Sequence, residues 1–278
     1  MVLVFIPGIG LTLNGSRSWV QFFGLSTQPA EFVKLAIIII LAKLLADGRD
    51  LKDWKNGLAP VFAVLAPALL LVGLQPDVGT LSILVVIIFA MLYAAHTPKI
   101  YLLILGLVGA VGFVALMAVA PYRVQRLTTF LHPELDPKGV GYQINQAFLA
   151  VGSGGVWGLG LGHSRQKFQY LPEVQADSIF AIVAEEMGFI VSVGVIILIV
   201  LIGLRGMKIS RGAPDEFGRL LVCGIVVWLV WQSFLNIGSI IGLMPLTGVP
   251  LPFISHGGSA LLVGLSAVGI VASVSKAK

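Results

Sequence analysis

Long apolar runs, separated by short polar breaks, make up most of this chain. Seven of them approach or exceed the roughly 20 residues that a helix needs to cross a bilayer. Breaks that contain proline, such as Gln75-Pro76 and Thr97-Pro98, fall between the runs. The pattern predicts an all-α, polytopic transmembrane helix bundle that forms one membrane domain over residues 1–278. Its full spans are expected at about 30–46, 57–74, 79–95, 99–120, 179–203, 219–241 and 257–274.

The first residues, MVLVFIPGIG, are too short to form a full span. They contain no basic region and no small-residue cleavage site, so they do not resemble a signal peptide. We interpret residues 1–11 as the end of a further transmembrane helix, which would be a partial span at the N-terminal end of this sequence.

Composition supports the membrane interpretation and excludes other classes. Hydrophobic residues make up 57% of the chain and charged residues 11%, whereas soluble domains average about 25% charged residues. The net charge of +5 fits an excess of Lys and Arg in cytoplasmic loops, so it gives no reason to expect a nucleic-acid partner. The single cysteine, Cys223, excludes an intrachain disulfide.

One connection, residues 121–178, is much longer than the others. Connections of this length are usually functional or disordered, and the aromatic residues here argue against disorder. The short loops on one side of the predicted bundle carry many Lys and Arg residues, whereas 74–79 and 242–256 carry none. Because Lys and Arg are enriched on the cytoplasmic side, we expect residues 121–178 to form a large extracytoplasmic loop.

The stretch VQADSIFAIVAEEMG, residues 174–188, places three acids at or within an apolar helix. Ionisable residues within a membrane are functional candidates by default. Asp177 is equally compatible with a helix N-cap and with a catalytic carboxylate, and one side chain can serve both purposes. Glu185 and Glu186 point about 100° apart. For them we favour a buried ion pair, with Lys34 or an arginine, over a direct chemical role.

Other polar residues near predicted helix ends have two interpretations each. Glu31 and Lys34 have the i,i+3 spacing of a helix-surface pair, but a pair inside a membrane is also a functional candidate. Asp77 is expected to cap the helix at 79–95. Arg165 and Lys167 are either phosphate-binding groups or solvated loop charges.

The run GSGGVWGLGLGHSRQK, residues 152–167, is rich in glycine but matches no phosphate-binding fingerprint. Gly154, Gly158 and Gly162 have a small-xxx-small spacing that indicates close packing. His163 and His256 lack metal-ligand spacing, so no zinc site is expected.

Four segments together resemble a known family. They are GSRSWVQFFGLSTQPAEFVKLA (15–36), LQPDVGTL (74–81), GYQINQAFLAVGSGGVWGLGLGHSRQKFQYLPEVQADSIFAIVAEEMGF (141–189) and GLMPLTGVPLPFISHGGSALL (242–262). In content and order they resemble the SEDS family, which includes FtsW, RodA and SpoVE, and the third segment looks more like FtsW than RodA. The resemblance implies ten transmembrane helices, of which the first two and most of the third would precede this sequence.

The resemblance also implies a function. Members of the family are peptidoglycan glycosyltransferases that polymerise lipid II at the outer face of the bacterial cytoplasmic membrane. They work alongside a class B penicillin-binding protein, so the expected partners are lipid II, such a protein, other division proteins and membrane lipids. A chain similar to FtsW is expected at the division septum, although elongation and sporulation roles stay open.

The resemblance assigns roles to individual residues. The aspartate of the family's LPE-x-x-x-D pattern falls on Asp177, with Glu173 in the same pattern. The QP-x-E-x-x-K motif falls on Glu31 and Lys34. The residues expected to bind substrate or pyrophosphate, or to support the site, are Lys34, Glu31, Arg17, Arg165, Lys167, Glu173, Glu185 and Glu186.

The expected chemistry is attack of a sugar 4-hydroxyl on an anomeric carbon with loss of a lipid pyrophosphate. Asp177 is the candidate general base. Cationic side chains or a divalent cation would stabilise the departing charge. A divalent cation such as Mg²⁺ or Mn²⁺ is the one cofactor that this chemistry suggests. Two alternatives are a lipid II flippase, which is a transporter, and a division scaffold without chemistry of its own.

Overall fold

The computed structural model describes residues 1–278 except positions 7, 9, 14–15, 23–24, 49, 76, 120, 138, 168–175 and 278. It does not describe the side chains at 11–13, 16–17, 22, 25, 116–119 and 121–123. The helices in the described part are α1 Pro29–Ala46, α2 Ala59–Leu74, α3 Val78–Ala94, α4 Lys99–Val119, α5 Pro121–Leu131, α6 Val140–Ser153, α7 Ile179–Arg211, α8 Glu216–Ile240 and α9 Gly258–Lys276.

Each of the seven predicted spans falls on one of these helices. They are α1, α2, α3, α4, α7, α8 and α9, so the helical, multi-pass membrane class is confirmed. The segments Trp54–Leu74, Ile179–Arg211, Glu216–Ile240 and Gly258–Lys276 are each long and apolar enough to cross a membrane. Trp54–Leu74 reaches this length because a π-helical turn, Trp54–Leu58, leads into α2.

The beginning of the chain differs from the prediction. Val2–Phe5 forms a short 3-10 helix in place of the expected helix end, and three antiparallel strands follow: β1 Gly10–Leu13, β2 Ser16–Phe22 and β3 Leu25–Thr27. Leu11 pairs with Trp19, and Val20 pairs with Gly10 on one side and Thr27 on the other. The sequence Pro7-Gly8 interrupts a helical pattern, and a hairpin satisfies the backbone groups of so short a segment.

The chain forms two compact units, which are described in turn. Unit 1 comprises Met1–Leu107, Ile202–Trp231 and Gly258–Lys278. In it α1 packs against α2, α3 and α9. Gly224 of α8 lies where an added Cβ would be 2.6 Å from the Met91 sulfur and 2.8 Å from an Ile38 methyl carbon. The absence of a side chain at this glycine therefore lets α8 approach α1 and α3 closely.

Unit 2 comprises Val108–Leu201 and Gln232–Gly257. Its buried core joins α6, the first turn of α7, the last turns of α8 and the segment that follows α8; the core residues are Ile144, Ala147, Ala150, Phe180, Ala181, Ile182, Ile237, Ile240, Leu246 and Leu251. Much of the long 121–178 connection is thus ordered, because α6 presents apolar side chains every third residue to this core. The single membrane domain over residues 1–278 stays a prediction of the sequence.

Candidate active site

Asp177 lies immediately before α7 in unit 2. The amide of Ala181 donates to the carbonyl of Ser178 at 3.0 Å, so helical bonding begins one residue after Asp177. The Asp177 carboxylate accepts a long hydrogen bond from the Ser178 hydroxyl, at 3.4 Å to Oδ1. The residue is half-buried, which leaves part of it accessible to a ligand.

The backbone at Asp177 is fixed from α8. The side-chain amide of Asn236 donates to the carbonyl of Asp177 at 2.7 Å and to the carbonyl of Val249 at 2.8 Å. Gln232, one turn earlier on α8, donates to the carbonyl of Pro250 at 2.8 Å. Two amide side chains therefore hold the segment at 249–250 against α8, and one of them also holds Asp177.

Gly248 lies beside the carboxylate. A Cβ added there would be 3.8 Å from Asp177 Oδ2, and the residue has a φ of +69°. Because this φ favours glycine over other residues, the position next to the carboxylate carries no side chain. Gly248 is exposed and Asp177 is half-buried, so this position lies at the surface of the unit.

A second contact comes from the long connection. Gln143 of α6 donates its side-chain amide to the Ser178 hydroxyl oxygen at 3.1 Å. Ser178 is fully buried, and a hydroxyl oxygen that accepts this bond keeps its own proton to donate to Asp177. The helix α6 thus helps to orient the groups at the start of α7.

Helix α7 is broken within its first third. Gly188 has φ 75° and ψ −176°, which is far from helical. The carbonyls of Glu185 and Glu186 accept instead from the amides of Leu159 and Gly160, at 2.9 and 3.0 Å.

The amides beyond the break also bond to the loop before α7. Those of Phe189 and Ile190 donate to the carbonyls of Gly155 and Val156, at 2.9 and 3.4 Å. Four backbone groups that a continuous helix would pair internally are therefore satisfied by residues 155–160. Irregular backbone beside a membrane span requires such compensation. Part of the long connection lies alongside α7, which the sequence did not predict.

Glycines make this close approach possible. A Cβ at Gly154 would lie 2.0 Å from the Ala184 carbonyl oxygen, and a Cβ at Gly158 would lie 2.2 Å from the Glu186 carbonyl oxygen. The close packing predicted from the glycine spacing is confirmed at these two positions. At Gly162 an added Cβ would meet nothing within 4 Å.

The two glutamates on α7 anchor the segment that follows these glycines. Glu185, which is almost fully buried, accepts from the Ser164 hydroxyl at 2.5 Å and from the Arg165 amide at 3.0 Å. Glu186 accepts from the Lys167 ammonium at 2.6 Å and from the Ser164 amide at 3.2 Å. Both carboxylates thus bind the same short segment, 164–167.

The sequence predicted a buried ion pair of Glu185 or Glu186 with Lys34 or an arginine, and the ion pairs that the structure describes are different ones. Lys167 pairs with Glu186, and Lys34 pairs with Glu31 at 2.8 Å. Lys34 has 0% and Glu31 1% of its side chain exposed, and the Lys34 ammonium lies 5.1 Å from the ring centroid of Trp228. The i,i+3 spacing that the sequence offered is sufficient for this pair.

The remaining residues with predicted roles are Asp77, Arg165, Arg17 and Glu173. Asp77 caps α3 as predicted, accepting from the Thr80 amide at 2.9 Å. Arg165 has an exposed side chain. The Arg17 side chain and all of Glu173 lie outside the described residues.

Among the described residues, no group of three His, Cys, Asp or Glu side chains lies close enough together to hold a metal ion.

Sequence reasoning missed Asn236 and Gln143. A signal for Asn236 was present, because Gln232, Ser233, Asn236 and Ser239 form a polar row on an otherwise apolar span. Polar side chains on membrane helices usually bond to another segment. For Gln143 the sequence contains no comparable signal, because α6 lies in a connection where polar residues are common.

Comparisons with known proteins agree on one family. The profile of the FtsW, RodA and SpoVE family, described as "Cell cycle protein", matches residues 1–278. The chain is 45% identical over 277 residues to stage V sporulation protein E of Bacillus subtilis, covering 99% of this chain and 76% of that protein. It is 39% identical over 276 residues to a probable peptidoglycan glycosyltransferase FtsW of a Geobacter species, covering 99% of this chain and 75% of that protein.

Solved structures show the same fold. A chain from a peptidoglycan synthase complex, described as coordinating polymerization and crosslinking, is similar with a TM-score of 0.76 and 28% identity, covering 99% of this chain and 77% of its own. The rod shape determining protein RodA of Thermus thermophilus is similar with a TM-score of 0.68 and 28% identity, covering 99% and 74%.

Proposed function

Because the chain belongs to the FtsW, RodA and SpoVE family, we propose that it is a peptidoglycan glycosyltransferase that joins lipid II units into glycan strands, with Asp177 as general base. One observation carries the assignment of the base. Asp177 is only half-buried and its carboxylate lies beside Gly248, while its backbone carbonyl is held by Asn236 at 2.7 Å. A base that is both accessible and fixed in place is what proton transfer in a transition state requires.

The reaction forms one bond and breaks one. The 4-hydroxyl oxygen of one sugar attacks the anomeric carbon of another, and the bond from that carbon to the lipid pyrophosphate breaks. The hydroxyl proton passes to the Asp177 carboxylate, and the bonding electrons leave with the pyrophosphate. Taking up the proton as the new bond forms lowers the barrier, which typically raises the rate by a factor of about 10²–10⁴.

Positive charge is needed where the pyrophosphate departs. Among the candidates whose side chains are described, Arg165 is the exposed one, and its backbone amide is held by Glu185 at 3.0 Å. Lys167 is partly exposed and bound to Glu186, so it contributes to both roles. The buried Glu31–Lys34 pair serves as support. Glu173 is included because it belongs to the family's LPE pattern, and Arg17 is included as a further cationic candidate.

The same proposal covers orientation and partners. Lys and Arg in the short loops put residues 121–178 on the extracytoplasmic side, where Asp177 would meet lipid-linked sugars. A class B penicillin-binding protein is the expected partner, because a similar protein works in a complex that coordinates polymerization with crosslinking. Membrane lipids and other division proteins surround it at the septum of a bacterial cytoplasmic membrane.

The test is the substitution Asp177→Asn in the complete protein, assayed with its penicillin-binding protein and lipid II. We expect no glycan strands, because an amide cannot accept the hydroxyl proton, and an unchanged thermal unfolding profile in detergent. Gln143→Ala, which removes a bond to Ser178 and leaves the carboxylate in place, is the matched control and should retain part of the activity. Full polymerisation by Asp177→Asn would overturn the assignment.

The same assay separates the rival functions. A transporter would move lipid II between leaflets of a vesicle without making strands, and Asp177→Asn would leave that movement unchanged. A scaffold would do neither. Glycan strands that depend on Asp177 are expected from the polymerase alone.

A further inference from the structure

We propose that Asn236 is a positioning residue for this reaction, and that it fixes Asp177 against the segment 248–250 that lines the carboxylate. The inference rests on the proposed function and adds a residue to it. Asn236 does not supply a reacting atom. It keeps the distance between the Asp177 backbone and the segment 248–250 constant.

Asn236 is buried and its two donors are both used. Its exposed fraction is 1%, and its amide hydrogens are directed to two carbonyls, those of Asp177 and Val249. A buried amide in an apolar helix is costly unless it is bonded. Both bonds are short, at 2.7 and 2.8 Å, so the side chain is strongly constrained at its donor end.

The two carbonyls belong to segments that no helix holds rigid. Asp177 precedes the first helical bond of α7, and Val249 lies between α8 and α9. The side chain that bridges them comes from the ordered helix α8. Asn236 therefore transmits the position of α8 to both segments at once.

Gly248 makes this bridge relevant to chemistry. The residue adjoins Val249 in the chain, and an added Cβ would lie 3.8 Å from Asp177 Oδ2. If the bond to Val249 or to Asp177 were lost, the gap between the carboxylate and Gly248 would change. A misplacement of about 1 Å near reacting groups can lower the rate by a factor on the order of 10².

The acceptor end of the same side chain is consistent with a role at the site. Asn236 Oδ1 and the Thr247 hydroxyl oxygen are both buried, and neither has a hydrogen-bond partner among the described residues. Native proteins rarely leave such atoms unpaired.

The experiment compares Asn236→Leu with two other variants in the complete protein, using lipid II and the penicillin-binding protein. Leucine has a similar size and no donors, so we expect kcat to fall on the order of 100-fold, with KM for lipid II changed by less than about threefold. Asn236→Gln keeps the amide but displaces it by one methylene, and is expected to lose about tenfold in kcat.

Ser239→Ala is the control. Ser239 is a buried residue three positions along α8, and its hydroxyl bonds to the Asn236 backbone carbonyl at 2.8 Å within the helix. Its removal tests the effect of losing one buried hydrogen bond from α8, and kcat should stay within about twofold of wild type, since intrahelical bonds of this kind contribute little.

Several outcomes would overturn the positioning role. They are a kcat for folded Asn236→Leu within threefold of wild type, an equal loss in Ser239→Ala, or a loss that appears in KM alone. If Asn236→Leu does not fold, a wild-type kcat in folded Asn236→Gln has the same meaning. Full activity in Asp177→Asn would instead remove the proposed base, whereas an inactive Asp177→Asn beside a fully active Asn236→Leu would remove only the positioning role.

Discussion

Two helices of this protein bury acidic side chains, and they do so in different ways. In α1, Glu31 is paired with Lys34 one turn later, and the helix is continuous from Pro29 to Ala46. In α7, the helix breaks at Gly188, and Glu185 and Glu186 bind residues 164–167 of a preceding loop. The first arrangement uses a partner from the same helix turn. The second uses a partner brought by the chain fold.

The difference shows what buried charge can be used for. The Glu31–Lys34 bond joins two residues of the same helix, so it neutralises both charges within α1. The Lys34 ammonium also lies over Trp228 of α8. The glutamates of α7 instead bind residues 164–167, which belong to the connection that precedes α7. Charge in α1 is therefore mainly a matter of helix stability, whereas charge in α7 determines where a functional segment lies.

The largest effect is expected from breaking the Glu31–Lys34 pair of α1. Lys34→Met leaves the Glu31 carboxylate buried without its cation, which we expect to lower the free energy of unfolding by about 3–5 kcal/mol. The double variant Glu31→Leu with Lys34→Met removes both charges and should recover most of the loss. Unfolding would be followed by circular dichroism during titration of mixed micelles with sodium dodecyl sulfate. A double variant as unstable as the single one would contradict the view that the cost comes from an uncompensated Glu31 carboxylate.

A smaller effect is expected at the α7 break. Gly188→Ala puts a Cβ 2.3 Å from the Gly158 amide nitrogen at a φ of +75°, so the loop must separate from the helix or the backbone must stay strained. We expect a loss of about 2–3 kcal/mol and faster proteolysis between residues 154 and 167. Gly194→Ala is the matched control on the same helix, because an added Cβ there meets nothing within 4 Å.

The two glycine variants should change the free energy of unfolding in opposite directions. Gly194→Ala is expected to leave the loop protected and to stabilise the helix by up to about 1 kcal/mol. If Gly188→Ala were as stable and as protease-resistant as Gly194→Ala, the loop would not depend on the break, and the contrast between α7 and α1 would lose its basis.

The smallest effect concerns a carboxylate that is bonded locally but not buried. The side-chain amide of Asn56 and the backbone amide of Lys55 donate to Asp53 and hold its pKa below the ordinary value. A lowered folded-state pKa stabilises the fold above the unfolded pKa, and this contribution is lost as the pH falls through the folded value. Below roughly pH 4 the wild type should therefore lose a small part of its stability. The variant Asp53→Asn does not have this contribution at any pH, so its stability should not show this loss.

The measurement for Asp53 is the pH dependence of the unfolding midpoint, compared between wild type and Asp53→Asn. Lys55→Ala serves as the control, because it keeps the backbone amide that caps the carboxylate. If the unfolding midpoints of wild type and Asp53→Asn changed identically at acidic pH, these local bonds would not contribute to stability.

Local patterns predicted much of the fold. The helices at the seven predicted spans, the Asp77 cap and the Glu31–Lys34 pair all depend on residues fewer than five positions apart or on apolar run length, and all appear in the structure. The glycine spacing at 154 and 158 predicted close packing but not its partner. The strands at 10–27 were missed, because a hairpin of short strands competes with a helix end in an equally apolar stretch.

The sequence by itself determined that this is a multi-pass membrane protein, where its long apolar helices lie, and that Asp177 is at the start of one of them. It did so because apolar run length and local spacing act within a single element. Only the tertiary structure decided that α7 breaks at Gly188, that Lys167 binds Glu186, and that Asn236 holds Asp177. Each of these joins residues at least 19 positions apart, and which distant groups meet depends on how the helices pack against one another.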